Sequence, residues 1–130
     1  MDKQNIFKAF NNHFTEFIDD IHSIFPNDKD INMTRDTLSL LKRGNPKIMI
    51  DVWYNHITKK YESEINNNNF DFFLNKNYNE DLDMGNQNNK ILEGIEKLRA
   101  PIRNMGDDNK EKCLQYIQNL TKLSKMYFEN

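Results

Sequence analysis

Hydrophobic residues near the N-terminus recur every three or four positions. The series consists of Phe7, Phe10, Phe14, Phe17, Ile21 and Ile24. Because steps of three and four residues return to the same side of an α-helix, this spacing predicts one helix with a continuous apolar face. The face is widened, as is typical of a core-facing helix, by Ile6, Ile18 and Phe25. We expect the helix to run from about Lys3 to Ser23 or Ile24, since the residue before Pro26 disfavours helical geometry.

Two further helices are predicted in the first half of the chain, after a polar loop at residues 27–30. The first contains Met33, Thr37, Leu38 and Leu41. It should end at Arg43, because Gly44 suits the left-handed position that follows a helix. The second should begin with Asn45 as N-cap and Pro46 as first helical residue, and run to about Ile65. Its apolar face consists of Met49, Val52, Trp53, Ile57, Tyr61 and Ile65.

An asparagine-rich stretch follows, beginning with four consecutive asparagines at residues 66–69. Asparagine favours turns over helix interiors, so we interpret residues 66–89 as an excursion from the bundle that aromatic side chains tie down. Its aromatic residues are candidates for binding a partner: Phe70, Phe72, Phe73 and Tyr78. Two interpretations stay open, a plug packed on the bundle or an exposed patch, since aromatic residues dominate binding hot spots.

The last third of the chain predicts two more helices. The first carries Ile91, Leu92, Ile95, Leu98 and Ile102, and Pro101 should kink or divide it near residues 99–100. Asp108 and Glu111 have the spacing of a capping box and should open the final helix, which runs to about Phe128. Its core face contains Leu114, Ile117, Leu120, Leu123 and Tyr127. The sequence therefore predicts an all-α, single-domain bundle of about five helices over residues 1–130.

The charged residues are unevenly distributed along the chain. The formal net charge is −2, which does not predict bulk attraction to nucleic acid. Residues 37–60 carry five basic residues against one acidic residue, residues 61–96 carry eight acidic against two basic, and residues 97–130 carry seven basic against four acidic. These charges either neutralise each other in the fold or form a basic face for an acidic partner. The candidates for contacting nucleic acid are Lys42, Arg43, Arg99, Arg103, Lys122 and Lys125.

Cysteine usage and hydropathy indicate the compartment. Cys113 is the only cysteine, so no intrachain disulfide can form and a reducing compartment is expected. Its place on the apolar face of the last helix predicts a buried small hydrophobe rather than a reactive thiol. We find no signal-peptide pattern and no apolar stretch long enough to span a bilayer. The expectation is a soluble protein of the cytoplasm that does not contact membranes.

One segment approaches a metal-binding motif. Residues 28–36 place oxygen-bearing side chains at alternate positions, as a calcium loop does. However, Met33 stands where such a loop needs glycine for its sharp turn, and Ser39 stands where it needs a bidentate glutamate. The capping acids of a helix N-terminus explain the same residues, so no metal site is predicted.

Catalytic signatures are also missing from the sequence. His13 and His22 are nine residues apart and lie on opposite sides of a helix, while His56 lies at the edge of an apolar face, where we expect a partly buried structural histidine. The sequence contains no phosphate-binding glycine loop, no nucleophile elbow and no zinc-type spacing of cysteine and histidine. We therefore expect neither enzymatic activity nor a cofactor.

Three segments carry a resemblance to a known group of proteins. They are Phe14-x-x-Phe17-Ile18-x-Asp20-Ile21-x-x-Ile24-Phe25-Pro26, Phe70-x-Phe72-Phe73-Leu74 and Cys113-Leu114-x-Tyr116-Ile117-Gln118-Asn119-Leu120. With these segments and its 21 asparagines, the chain resembles small uncharacterised helical proteins of giant nucleocytoplasmic DNA viruses. The resemblance implies a protein of the infected host cytoplasm, in the virion or at the replication site, and it implies no catalytic residues. We expect a non-enzymatic structural or protein–protein interaction protein. The alternative is an accessory nucleic-acid-binding factor that uses basic helix faces.

Overall fold

Helices make up the architecture of the protein. The computed structural model describes residues 2–67 and 87–129, and this part of the chain contains no β-strand. The elements in chain order are α1 (Lys3–Ile24), α2 (Lys29–Gly44), α3 (Ile48–Trp53), a π-helical turn (Tyr54–Thr58), α4 (Lys59–Asn66), α5 (Gln87–Arg103) and α6 (Asp107–Glu129). Because α3, the π-helical turn and α4 follow one another without a break, they form one central rod over residues 48–66. The predicted all-α bundle of about five helices is confirmed.

Aspartate side chains cap the first two helices. The carboxylate of Asp2 accepts a hydrogen bond from the backbone N–H of Asn5 at 2.8 Å, and that of Asp28 accepts one from Ile31 at 3.1 Å. Each carboxylate satisfies one of the N–H groups that a helix start leaves without a partner. Asp28, the first residue of the segment that resembles a calcium loop, is thus a helix cap.

Two predictions about the junction between α2 and the central rod, the end of one helix and the start of the next, are wrong by one or two residues. Gly44 is the last residue of α2 and does not adopt a left-handed backbone, because Asn45 ends the helix with φ −146° and donates its N–H to Leu41. Helix α3 begins at Ile48 and not at Pro46, since residues 46–47 form a turn. The Asn45 carbonyl accepts the N–H of Ile48 at 3.1 Å, so this backbone contact, rather than a side-chain cap, leads into α3.

Two predictions about the C-terminal helices are also corrected. Pro101 does not divide α5, which continues through it to Arg103. Proline removes one backbone donor, and near a helix end that loss is small compared with tertiary packing, here the burial of Leu98 and Ile102. Helix α6 begins at Asp107, so Asp108 lies in its first turn and is not its N-cap. An acidic residue there still interacts favourably with the helix dipole.

The π-helical turn explains the residue spacing of the central rod. Its buried residues Trp53, Ile57, Tyr61 and Ile65 recur at every fourth position. In a regular α-helix each four-residue step drifts by about 40°, so three steps would carry Ile65 well away from the side of Trp53. A π-helical turn holds one additional residue and rotates the following residues back. The predicted apolar face, which also contains Met49 and Val52, is therefore buried along its whole length.

The other helices are arranged around the central rod. Helices α1 and α6 form the largest interface between described helices, and they are antiparallel, because Phe7 packs on Tyr127 while Asp20 meets Lys112. Helices α1 and α2 form an antiparallel hairpin, and α2 also packs on α5. The rod contacts α1, α2, α5 and α6. It provides the largest fully buried side chain, Trp53, on which Phe10 and Phe14 pack edge-on with ring centroids 6.4 and 6.1 Å away.

A short line of buried hydroxyl groups fixes the rod against α6. The indole Nε1 of Trp53 donates to Thr121 Oγ1 at 3.1 Å, and the hydroxyls of Thr58 and Ser124 are hydrogen-bonded at 2.6 Å. The hydroxyls of α6 in turn donate to backbone carbonyls of their own helix, Thr121 to Ile117 and Ser124 to Thr121. Since buried polar groups need hydrogen-bond partners, these pairs favour one axial register of the rod against α6.

Candidate functional site

Of the two candidate sites predicted from the sequence, the structure describes only the basic one, and the fold does not bring its residues together. Phe70, Phe72, Phe73 and Tyr78 lie outside the described residues, so the choice between a plug and an exposed patch stays a prediction. The six basic candidates fall on different parts of the bundle. Lys42 donates to Thr15 of α1 at 2.8 Å, whereas Lys125 pairs with Glu62 of α4 at 2.9 Å.

The positions of the basic residues do not form one basic surface. Arg99 is only 7% exposed, so its guanidinium is not presented at the surface as a phosphate contact requires. Arg103 ends α5 next to the start of α6, where the antiparallel packing also places the end of α1. Lys42 and Arg43 end α2, and Lys42 contacts Thr15 near the middle of α1, away from that end. Lys122 is exposed on α6.

The titratable side chains at the α1–α6 interface form a structural cluster. The carboxylate of Asp20 accepts a hydrogen bond from the Tyr116 hydroxyl at 2.7 Å and lies 3.2 Å from Lys112 Nζ. Burial first, and then this hydrogen bond, raise the pKa of Tyr116 to about 12. His13 stacks on the Tyr116 ring with centroids 4.6 Å apart, and burial lowers its pKa.

The same interface contains the single cysteine. Cys113 is buried and its Sγ lies 3.5 Å from Met105 Sδ. Burial raises the pKa of Cys113 to about 11, so the thiol stays protonated near neutral pH. The predicted buried small hydrophobe is confirmed. Among the described residues, no group of three or more histidine, cysteine or acidic side chains could hold a metal ion.

The outer surface of α2 is the most unusual feature of the described part of the chain. Met33 is 58% exposed and Leu40 is 64% exposed. They are seven residues apart, which is two helical turns, so they lie on one face with Thr37 between them. We call these three residues the α2 crest. On its inner side the helix buries Ile31, Thr34 and Leu38, and Leu41 packs partly buried against the core.

A cleft follows each side of α2. The α1–α2 cleft has a volume of about 310 Å³ and a floor of Phe14, Ile18, Leu38 and Met49. The α2–α5 cleft has a volume of about 250 Å³ and is lined by Met33, Thr34, Thr37, Leu38, Glu93, Gly94 and Lys97. The α2 crest borders the second cleft, so an exposed apolar strip and a recess are continuous there.

Gly94 determines how closely α5 approaches α2. A Cβ at this position would lie 3.3 Å from Thr34 Cγ2 and 3.3 Å from Leu38 Cδ2, which is tighter than most contacts of real Cβ atoms. Thr34 itself is 4% exposed, and its hydroxyl has no hydrogen-bond partner. The floor of the α2–α5 cleft therefore combines a close helix crossing with one unused polar group.

The sequence prediction of this helix did not find the α2 crest, because it grouped Met33 and Thr37 with Leu38 and Leu41 without separating an exposed face from a buried one. The helix has two candidate faces, Met33-Thr37-Leu40 and Ile31-Thr34-Leu38, and both repeat at helical spacing. The structure buries the second face. The two faces are neighbours on the helix, about 100° apart, so residue spacing alone does not show which of them is core.

The described part of the chain includes no helix with the length and apolar character needed to cross a membrane. No protein-family model matches the sequence, and neither a curated protein nor a solved structure is significantly similar to it. The candidate site therefore rests on the geometry around α2 alone.

Proposed function

We propose that the protein is a non-enzymatic helical interaction protein whose contact surface is the α2 crest with the adjoining α2–α5 cleft. The observation that carries the proposal is the exposure of Met33 and Leu40, 58% and 64%, on one face of one helix. Large apolar side chains grouped on a surface are typical of interaction sites, whereas single ones are common everywhere. Methionine adapts to differently shaped partners, which suits such a surface.

The shape of the surface favours a helical or extended segment of another protein as partner. Such a segment can lie along the crest and place side chains in the recess beside α5, as peptides do in hydrophobic grooves. The recess beside α5 offers the opposite charges of Glu93 and Lys97 at its rim. These polar groups would orient a partner, while the apolar contacts provide most of the affinity.

The proposed place of action is the cytoplasm. The single buried cysteine supports a reducing compartment, since it forms no disulfide. The resemblance to proteins of giant nucleocytoplasmic DNA viruses supports the further proposal that the partner is met in infected host cytoplasm, at a replication site or in the virion.

Affinity purification with matched variants tests the proposal. The double variant Met33→Ser and Leu40→Ser removes the apolar crest without changing the net charge, and Phe128→Ser removes an exposed apolar side chain from a distant helix. We expect the double variant to lose the proteins recovered with the wild-type chain, and Phe128→Ser to keep them. Both substitutions of the crest lie on the surface, so unfolding in urea should change by less than about 0.5 kcal/mol for each.

Recovery of the same proteins by the wild type and by the crest variant would contradict the proposal. A further double variant, Phe72→Ala and Phe73→Ala, tests the second candidate surface. Loss of partners from this variant with an unchanged melting temperature would assign the contact to the aromatic residues instead of the α2 crest. A lowered melting temperature would support the plug interpretation.

A further inference from the structure

The α1–α2 cleft has an apolar floor and two polar bridges across its mouth. Arg35 Nε donates to Asp19 Oδ1 at 2.9 Å, and Lys42 Nζ donates to Thr15 Oγ1 at 2.8 Å. The bridges are four residues apart on α1 and seven apart on α2, so they cross the cleft at different heights. The floor residues are Phe14, Ile18, Leu38 and Met49, all of them buried.

The two ends of the cleft differ in charge. At one end the guanidinium of Arg35 is neutralised by Asp19, and Asp36 adds a second carboxylate. At the other end Lys42 meets only a hydroxyl, and no carboxylate of the described chain lies within ion-pair distance of its Nζ. The Thr15 hydroxyl donates its own proton to the Asn11 carbonyl at 3.0 Å. The ammonium group, which has three donors, therefore keeps two for a ligand.

The size of the cleft limits the ligand. An apolar cavity of roughly 150 Å³ accommodates benzene, which has six heavy atoms. A volume of about 310 Å³ is twice as large, and it accordingly suits a ligand of about a dozen heavy atoms. An apolar body of this size covers the floor, and its head group lies at the cleft mouth.

From these observations we infer that the α1–α2 cleft binds a small apolar carboxylate, a chain or ring system of about a dozen heavy atoms, with its carboxylate on Lys42. The charge-assisted hydrogen bond to Lys42 gives the selectivity for an acid over a neutral amphiphile. Burial of the apolar body against Phe14 and Leu38 provides the remaining affinity. This binding site is separate from the α2 crest, so it does not depend on the proposed function.

Decanoate, 1-decanol and decylammonium are suitable probes because they share an apolar chain and differ in head-group charge. Titration calorimetry of the full chain should show saturable one-to-one binding of decanoate, weaker binding of decanol and none of decylammonium. The fluorescence of Trp53, the only tryptophan, gives a second readout, since its ring packs on Phe14 of the cleft floor. Amide shifts in NMR spectra should be confined to α1, α2 and the start of the central rod.

Three variants make the test specific. Lys42→Met should weaken decanoate binding about tenfold or more and leave decanol binding nearly unchanged. Arg43→Met removes an equal charge one residue away, outside the cleft lining, and should alter neither. Ser39→Phe fills the cleft from its rim and should abolish binding of both probes without removing a core side chain.

The inference is overturned by any of three results. The first is no binding of decanoate to the wild type. The second is equal affinity for decanoate and decanol. The third is a set of amide shifts outside α1, α2 and the start of the central rod. Unchanged decanoate affinity in Lys42→Met, with the thermal stability of the variant preserved, would likewise show that the ammonium does not recognise the head group.

Discussion

The hydrogen bond between Trp53 and Thr121 offers a quantitative test of the interface between the central rod and α6. Thr121→Val keeps the shape and the β-branching of the side chain but removes the acceptor of the indole N–H, which lies 3.1 Å away. Both side chains are at least 98% buried, so water cannot replace the lost partner. The perturbation is therefore one unsatisfied buried donor, without a cavity.

The expected cost follows from that geometry. Leaving a buried donor without a partner destabilises a protein by about 1–3 kcal/mol. Thr121→Val also removes the hydrogen bond from the Thr121 hydroxyl to the Ile117 carbonyl. This loss should add little to the cost, because that carbonyl oxygen takes part in the backbone hydrogen bonding of α6. We expect Thr121→Val to lower the free energy of unfolding by about 1–2 kcal/mol, which for a domain of this size lowers the melting temperature by about 3–8 °C.

A double-mutant cycle with Trp53→Phe isolates the hydrogen bond. Phenylalanine has no N–H, so Thr121→Val should cost about 1 kcal/mol less in that background than in the wild type. Urea unfolding followed by far-ultraviolet circular dichroism measures all four proteins, since the tryptophan signal is lost in two of them. Thr37→Val, on the exposed α2 crest, serves as the control. A coupling energy below about 0.3 kcal/mol would refute the assignment of this contact as a stabilising hydrogen bond.

The remaining predictions concern Gly94 and Cys113. Gly94→Val should destabilise the fold by about 1–3 kcal/mol in urea unfolding, because its Cβ would crowd Leu38, whereas Gly44→Val, with no atom near the added Cβ, should cost much less. Burial raises the pKa of Cys113 from 9.0 to about 11. The thiol should therefore react with a thiol reagent at pH 8 about a hundredfold more slowly in the native protein than in urea. Equal rates in the two states would contradict its burial. Since the unfolded chain loses this proton first, stability should fall as pH rises from 9 to 11, and Cys113→Ala should reduce that fall.

Much of the secondary structure could be predicted from sequence because each helix repeats its apolar residues at helical spacing. The seam of α1 is an example: Phe10, Phe14, Phe17 and Ile21 are all buried. Local signals identified helix positions well and their exact ends less well. Asp108 has the spacing of a capping box, yet α6 begins one residue earlier. Several residues near a helix start can serve as caps, and packing decides among them.

The candidate site could not be predicted because it depends on how helices pack. Periodicity shows that Met33 and Leu40 share a face, but not whether another helix covers that face. The two clefts beside α2 arise from how α1 and α5 are placed against it, and α5 is distant from α2 in sequence. The π-helical turn is an intermediate case. The unbroken four-residue spacing from Trp53 to Ile65 contains that signal, since a regular α-helix would drift away from one face over this length.

The interface between α1 and α6 has a consequence for the synthesis of the protein. It joins residues about a hundred positions apart, as the contact between Tyr116 and Asp20 illustrates. On the ribosome, the phenylalanine-rich side of α1 is made first and lacks its main partner until α6 has been translated. Until α6 is translated, the nascent chain therefore presents a hydrophobic helix to chaperones.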